Sequence, residues 1–296
     1  MLLKLGSKGQ EVNELQQALG LTPSAIFDQT TLAAVMAYQR QKGLIVDGLV
    51  GRQTLGAIRA QNATTDLAEK VYQTISGLYV HKQYLPKGEY IDEPTPKEYL
   101  FLHHTQGWHY PYDTIHGWAT DDRGPIATEF VLGGRSIKDN DDRYDGELVQ
   151  CIPEGAYAWH LGDTGSHYMH THSVGIELCN FGAAPQGKNT YGRAIPADQL
   201  VTLPSEFKGE KQWHAYTDKQ IETLRLFILW IAERDSIQVR DGLISEIKKH
   251  GAKAFEFNQT AYSGKTKGMW THANVRAQGK SDLFPQANLI DMLLSI

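Results

Sequence analysis

Two imidazoles and a carboxylate in this chain stand where zinc chemistry could be done. His103 ends an apolar run, LFLHHT, of the kind that forms the rigid edge of a sheet. His272 and Asp282 lie ten residues apart in THANVRAQGKSD, with Lys280 between them. Two histidines and a carboxylate fill three positions of a zinc tetrahedron and leave the fourth open for water. Spacing by itself is a moderate signal, since many loops contain a histidine and an aspartate. Most of the 12 histidines must have ordinary surface or hydrogen-bonded roles. Only Cys151 and Cys179 are available as thiols, which excludes a four-cysteine zinc site and a disulfide framework. Two buried free thiols are the expected state of that pair, a single bridge the alternative.

The elements that must position these residues can be read from periodicity. From Leu100 onward, LFLHHT, TEFVLGG, ELVQCIP and SVGIELCNF are short β-rich segments. They are interleaved with a helix in YTDKQIETLRLFILWIAER, capped by Thr217, and another in LISEIKKHG. Strands alternating with helices predict an α/β fold, a mixed β-sheet flanked by helices. Residues 183–216, rich in Gly, Pro, Lys and polar side chains, read as an inserted loop beside the active-site edge. Upstream, residues 1–60 predict a small N-terminal three-helix bundle, near the lower size limit for a self-supporting core. Ser7 precedes the first helix, where Val12, Leu15 and Leu19 recur at helical spacing and Gly20 marks the stop. TTLAAVMAYQRQKG gives the second helix, with Thr30 or Thr31 near its cap and Gly43 at its end, and RQTLGAIRA gives the third. Between the domains, DLAEKVYQTISGLYV predicts a helix and YLPKGEYIDEPTPKEY a surface loop. The expected division is therefore 1–60, 61–97 and 98–296.

LKLGSKGQEVNELQQALGL and TLAAVMAYQRQKGLIVDGLVGRQTLGAI resemble the two signature blocks of the peptidoglycan-binding type 1 domain. That resemblance implies a role in holding the protein on wall polymer, against a helical cap kept only for folding. The family usually carries a glycine-containing turn where this chain has the shorter PSAIFDQ. Further on, LFLHHT, AWHLG, HSVGIELCN and THANVRAQGKSD occur in the order found in the N-acetylmuramoyl-L-alanine amidase type 2 family. That family is related to bacterial amidases, phage lysozyme-like amidases and peptidoglycan recognition proteins. The resemblance spans roughly residues 95–292 and implies one zinc ion per chain, held by His103, His272 and Asp282. His104, next along the strand, should face the opposite side. By the same match Glu177 takes the place of the catalytic glutamate and Lys280 that of the catalytic lysine. Glutamate would move the proton between water and the departing amine, while lysine would stabilise the oxyanion. Taken singly, Glu177 could equally be a strand-end surface carboxylate and Lys280 a solvated loop charge. His160 matches a position lining the substrate groove, and Trp159 beside it is either core or a sugar-stacking ring. Glu129 stands where the family commonly has a histidine, so it is expected to bring a second carboxylate toward the site. LFP after Asp282 replaces the family's usual Pro-Gly-Pro, which implies a different pocket rim.

A net charge of −5 argues against a nucleic-acid partner. No apolar run approaches the ~20 residues needed to span a bilayer. MLLKLGSKGQ lacks the apolar stretch of a secretory signal, so the expectation is synthesis in the cytoplasm and action on the wall after release or secretion. The amidase resemblance implies cleavage between N-acetylmuramic acid and L-alanine in peptidoglycan. Alternatives are a recognition protein that binds wall fragments without cutting, a zinc peptidase acting within the stem, and a recycling amidase. For a lytic enzyme the two roles in view are a phage endolysin and a secreted antibacterial effector, the latter needing an immunity protein. Nothing in the sequence demands more than a monomer.

Overall fold

The computed structural model describes residues 3–42, 44, 46–51, 54–55, 57–58, 72–73, 78–162 and 166–296. They fall into two compact units, 1–70 and 71–296.

In the first unit, α1 (Gln10–Ala18) and α2 (Gln29–Gln41) are followed by helical residues at 54–55 and 57–58. Val12, Leu15, Phe27, Val35, Tyr38 and Val50 form its core. Gly20 has φ +72°, the left-handed conformation expected of a glycine after a helix end. Two expected caps are displaced. Gly9, not Ser7, precedes α1. Asp28 rather than Thr30 or Thr31 caps α2, its carboxylate accepting from the Thr31 backbone N–H and hydroxyl, both at 2.8 Å. Gly43 lies outside the described residues.

The unit also holds an internal repeat that hydrophobic patterning does not reveal. Gln16 and Gln39 are buried amides 23 positions apart. Nε2 of Gln16 donates to the carbonyl of Ile26 and the hydroxyl of Thr31, both at 2.9 Å. Nε2 of Gln39 donates to the carbonyl of Leu49 at 3.0 Å and the hydroxyl of Thr54 at 3.2 Å, each partner displaced by the same 23 positions. Each Oε1 accepts a loop N–H, from Ser24 at 2.8 Å and Gly48 at 2.9 Å. A core amide on each helix thus pins the loop that follows it.

The second unit is built on a seven-stranded sheet. Its strands are β1 (Tyr72–Gln73), β2 (Tyr79–Lys82), β3 (Tyr99–His104), β4 (Phe130–Leu132), β5 (Leu148–Gln150), β6 (Ser173–Leu178) and, past a separate hairpin, β9 (Gly268–Thr271). Their order is β1-β2-β5-β4-β6-β3-β9. β3 lies parallel to both β6 and β9, so all three carboxyl ends emerge on one edge. That edge is where open α/β sheets place ligands. Alternation sorts the faces of β6: Val174, Ile176 and Leu178 enter the main core, while Ser173, Gly175 and Glu177 take the other side.

Helix α3 (Pro111–Thr120) packs beside Val131 and Val149. α4 (His167–Thr171) leads directly into β6. α5 (Asp218–Arg234) begins with the expected Thr217 cap, completed by Gln220 into a capping box, and buries Ile221, Leu224, Phe227, Ile228 and Ile231 against the sheet. α6 (Leu243–His250) matches the expected helix, and α7 (Gln259–Tyr262), α8 (His272–Val275) and α9 (Ala287–Ser295) complete the set.

Two sequence expectations change. Residues 79–80, read as the last two of a helix, open β2 inside the sheet, because Val80 and Leu78 join the core; much of that expected helix lies outside the described residues. The stretch read as an inserted loop contains a hairpin, β7 (Leu200–Phe207) and β8 (Glu210–His214). Lys208 and Gly209, at φ +51° and +83°, make its two-residue turn. Leu203, Phe207 and Trp213 anchor it in the main core. Cys151 and Cys179 are both free thiols in the core.

Candidate active site and its metal-binding triad

His103, His272 and Asp282 meet at the carboxyl edge of the sheet, all three buried. Nδ1 of His103 lies 3.0 Å from Nδ1 of His272 and 3.4 Å from Oδ2 of Asp282, and the third side of the triangle is 3.3 Å. Ligand atoms on a zinc tetrahedron with bonds near 2.0–2.1 Å stand about 3.3–3.5 Å apart, so the donor set has the right atoms at the right separations. Burial pushes the pKa of His103 down to about 4, which leaves its ring neutral and able to coordinate at pH 7.

Each member is held by its element. His103 is the fifth residue of β3, which lies between β6 and β9. His272 opens α8 immediately after β9, where Thr271 caps the helix and Asn274 Oδ1 accepts from the Thr271 N–H at 3.0 Å. The loop carrying Asp282 is drawn back by the Ala273 N–H, which donates to the Asp282 carbonyl at 2.9 Å.

Glu177 is the strand neighbour of His103 in the β3–β6 register. Its Oε2 is shut off from solvent and has no hydrogen-bond partner among the described residues. Burial raises its pKa well above the usual carboxylate range; the negative Asp282 adds to this and Lys280 opposes it. A cavity of about 780 Å³ opens over these groups. Glu177, Lys280, His272 and Asp282 line one part of it, and Trp118, Ile126, Trp159 and Arg276 form its walls. Cavities of this size hold ligands of several hundred daltons.

Residues 93–267 match the N-acetylmuramoyl-L-alanine amidase family. The chain belongs to that family. Residues 8–58 of the amidase match the putative peptidoglycan binding domain, so the chain couples an amidase to a wall-binding unit, with peptidoglycan as substrate. Among solved structures, PlyL is similar at 12% identity and TM-score 0.38, over 68% of this chain and 84% of its own. AmpD, as a selenomethionine derivative, aligns at 17% identity and TM-score 0.37, over 72% of this chain and 93% of its own. AmiD from E. coli, in complex with the substrate anhydro-N-acetylmuramic acid-L-Ala-D-gamma-Glu-L-Lys, aligns at 18% identity and TM-score 0.32, over 56% and 53%. No curated protein sequence matches the chain. The family match ends at residue 267, ahead of His272, Lys280 and Asp282, so these three stand on geometry.

The remaining expected site residues divide in the amidase. His104 turns to the opposite side from His103, its Nδ1 2.8 Å from the hydroxyl of Tyr216, and is among the residues that line the cavity. Trp159 lines the cavity, half-buried, with its ring against His167 and His170. His160 lines the cavity as expected, and its Nδ1 stands 3.0 Å from Nε2 of His103. Glu129 is a correction. Thr128 takes the cavity side and Glu129 turns toward α5, where Arg234 donates to both of its carboxylate oxygens at 2.8 and 3.3 Å. The expected second carboxylate at the site is thus a buried ion pair elsewhere in the sheet.

Sequence reading missed Ser173, Gly175 and His170, which surround His160. The signal for two of them was the alternation Ser173, Gly175, Glu177 on one face of β6. A Cβ on Gly175 would meet Thr128 at 2.8 Å and Nδ1 of His160 at 3.1 Å, so glycine there makes room for the ring. No helix among the described residues is long and apolar enough to cross a membrane.

Proposed function

We propose that this amidase is zinc-dependent and hydrolyses the amide bond joining N-acetylmuramic acid to L-alanine in peptidoglycan. The observation that carries the zinc reading is the triangle of Nδ1, Nδ1 and Oδ2 atoms, 3.0–3.4 Å on a side and buried. Zinc bound there supplies Lewis acidity toward the scissile carbonyl and toward water.

The residues of the chain do the rest. Oε2 of Glu177, without a hydrogen-bond partner, is the group to take the proton from the attacking water and pass it to the departing nitrogen. A carboxyl whose burial favours the protonated form is the stronger base toward water and holds the proton until the departing nitrogen, a stronger base still, takes it. Lys280, at the cavity wall, brings positive charge to the oxygen that becomes an oxyanion. Trp118, Ile126 and Trp159 exclude water from around the bond.

The wall-binding match at residues 8–58 favours intact wall as substrate over soluble fragments. We therefore place the enzyme among lytic amidases that reach the wall by release or secretion, as an endolysin or an antibacterial effector does. Digestion of purified sacculi with mass spectrometry of the products tests both parts. Free stem peptides beginning at L-alanine, lost on chelation and restored by zinc, are expected. Intact wall with protein bound would replace catalysis by recognition, and fragments cut within the stem would move the scissile bond. Faster turnover of soluble muropeptides than of sacculi would point to recycling.

A further inference from the structure

A chain of polar contacts runs behind the triad and touches only one member of it. Nε2 of His103 stands 3.0 Å from Nδ1 of His160. Nε2 of His160 stands 2.7 Å from Oγ of Ser173, and that oxygen lies 3.2 Å from the carbonyl oxygen of His170. A neutral imidazole has one N–H and one acceptor nitrogen, and a hydroxyl has a single proton to give. Hydrogen bonds along this chain can therefore point in only two directions.

In the first direction Ser173 donates to His160, and His160 donates to His103. The proton of His103 then sits on Nδ1, inside the triad, and the His170 carbonyl receives nothing from Ser173. In the second, Ser173 donates to the carbonyl, His160 donates from Nε2 to Ser173, and His103 donates from Nε2 to His160. Only the second direction fills all three contacts, because a carbonyl oxygen accepts and cannot donate. It also leaves Nδ1 of His103 bare, its lone pair facing His272 and Asp282.

The ring of His160 is itself held from several sides. Its backbone N–H donates to Nδ1 of His170 at 3.2 Å, while Nε2 of His170 donates to the Gly162 carbonyl at 3.0 Å. The buried Lys97 ammonium donates to the carbonyls of Ala156 and Thr171, each at 3.0 Å. It thereby ties the segment before His160 to the segment before Ser173. Gly175 leaves the space into which the ring fits.

We infer that His160 is a positioning residue for His103, orienting its ring and fixing its proton on Nε2, and that Ser173 sets the direction of the chain. This rests on the zinc reading above and assigns the groove histidine to the metal side of the site. Groups that orient ligand histidines typically change metal affinity 10- to 100-fold when removed.

The test is competition for zinc between the full-length chain and a chromophoric chelator, with thermal unfolding of each metal-free variant as a control for folding. His160→Phe should lose roughly 10- to 100-fold in zinc affinity at unchanged fold. His160→Gln, which restores an acceptor, should recover part of that loss. Ser173→Ala, which touches no ligand, should lose about five- to tenfold, the worth of one hydrogen bond. Nitrogen-15 spectra of the metal-free protein should place the His103 proton on Nε2. Zinc affinity in His160→Phe equal to wild type, or a proton on Nδ1, would overturn the inference alone. A wild-type chain that takes up no zinc would overturn the zinc reading together with it.

Discussion

Glu129 and Glu177 sit on neighbouring segments of one sheet, and the protein treats them in opposite ways. Glu129 is wrapped: Arg234 reaches both of its oxygens, and Gln150 donates a third hydrogen bond at 2.9 Å. Glu177 has an oxygen sealed from solvent that receives no hydrogen bond from the described residues. A buried carboxylate with both oxygens engaged is a structural part, whose removal is felt throughout the fold. One left bare keeps a standing cost in stability, which is intelligible where chemistry needs the oxygen free. The first unit adds a third case, in which the uncharged amides of Gln16 and Gln39 are fully engaged. Among these four side chains, satisfaction of the polar group, more than its burial, separates scaffold from site.

The contrast can be broken most sharply at Glu177. Replacing it with Gln should lower the rate of stem-peptide release by about 10²- to 10⁴-fold, the usual worth of a general acid–base. The melting temperature should hold or rise, since a bare carboxyl is lost. An active Glu177→Gln enzyme would mean that the proton is carried elsewhere. The next largest effect belongs to Arg234→Met, which strands Glu129 in the core and should destabilise the larger unit by about 3–5 kcal/mol in urea unfolding. Combining it with Glu129→Leu should return most of that stability; if the double variant were as weak as the single one, packing rather than charge would be at stake. The smallest effects concern the amide clamps. Gln39→Leu should cost the first unit roughly 1–3 kcal/mol by orphaning loop groups, and Gln16→Leu a similar amount. Amidase turnover on a soluble muropeptide should not change in either, and a large difference between the two costs would show that the repeat is not energetically symmetric.

Much of this arrangement was legible in the sequence, for definable reasons. The four strand segments and the Thr217-capped helix were visible because alternation and caps are local signals, and the triad followed from motif order. Glu129 was misjudged because its neighbour Arg234 is distant in sequence, and no local pattern announces that a carboxylate already has a partner. The β7–β8 hairpin was hidden by polar residues and Pro204, only a few of its side chains being buried. His160, Ser173 and His170 each looked ordinary. Their connection exists only after α4 and β6 have folded beside the loop that carries His160.

The triad has a consequence for how the chain folds. His103 and His272 are separated by 169 residues in sequence, whereas each glutamine clamp of the first unit closes over 15. Short closures form early and at little entropic expense, while a loop spanning most of a unit is closed only when β9 docks on β3. The three ligand atoms therefore come together near the end of folding. An ion clasped by them would work as a late cross-link between distant stretches of the chain, latching the edge of the sheet that the reaction uses.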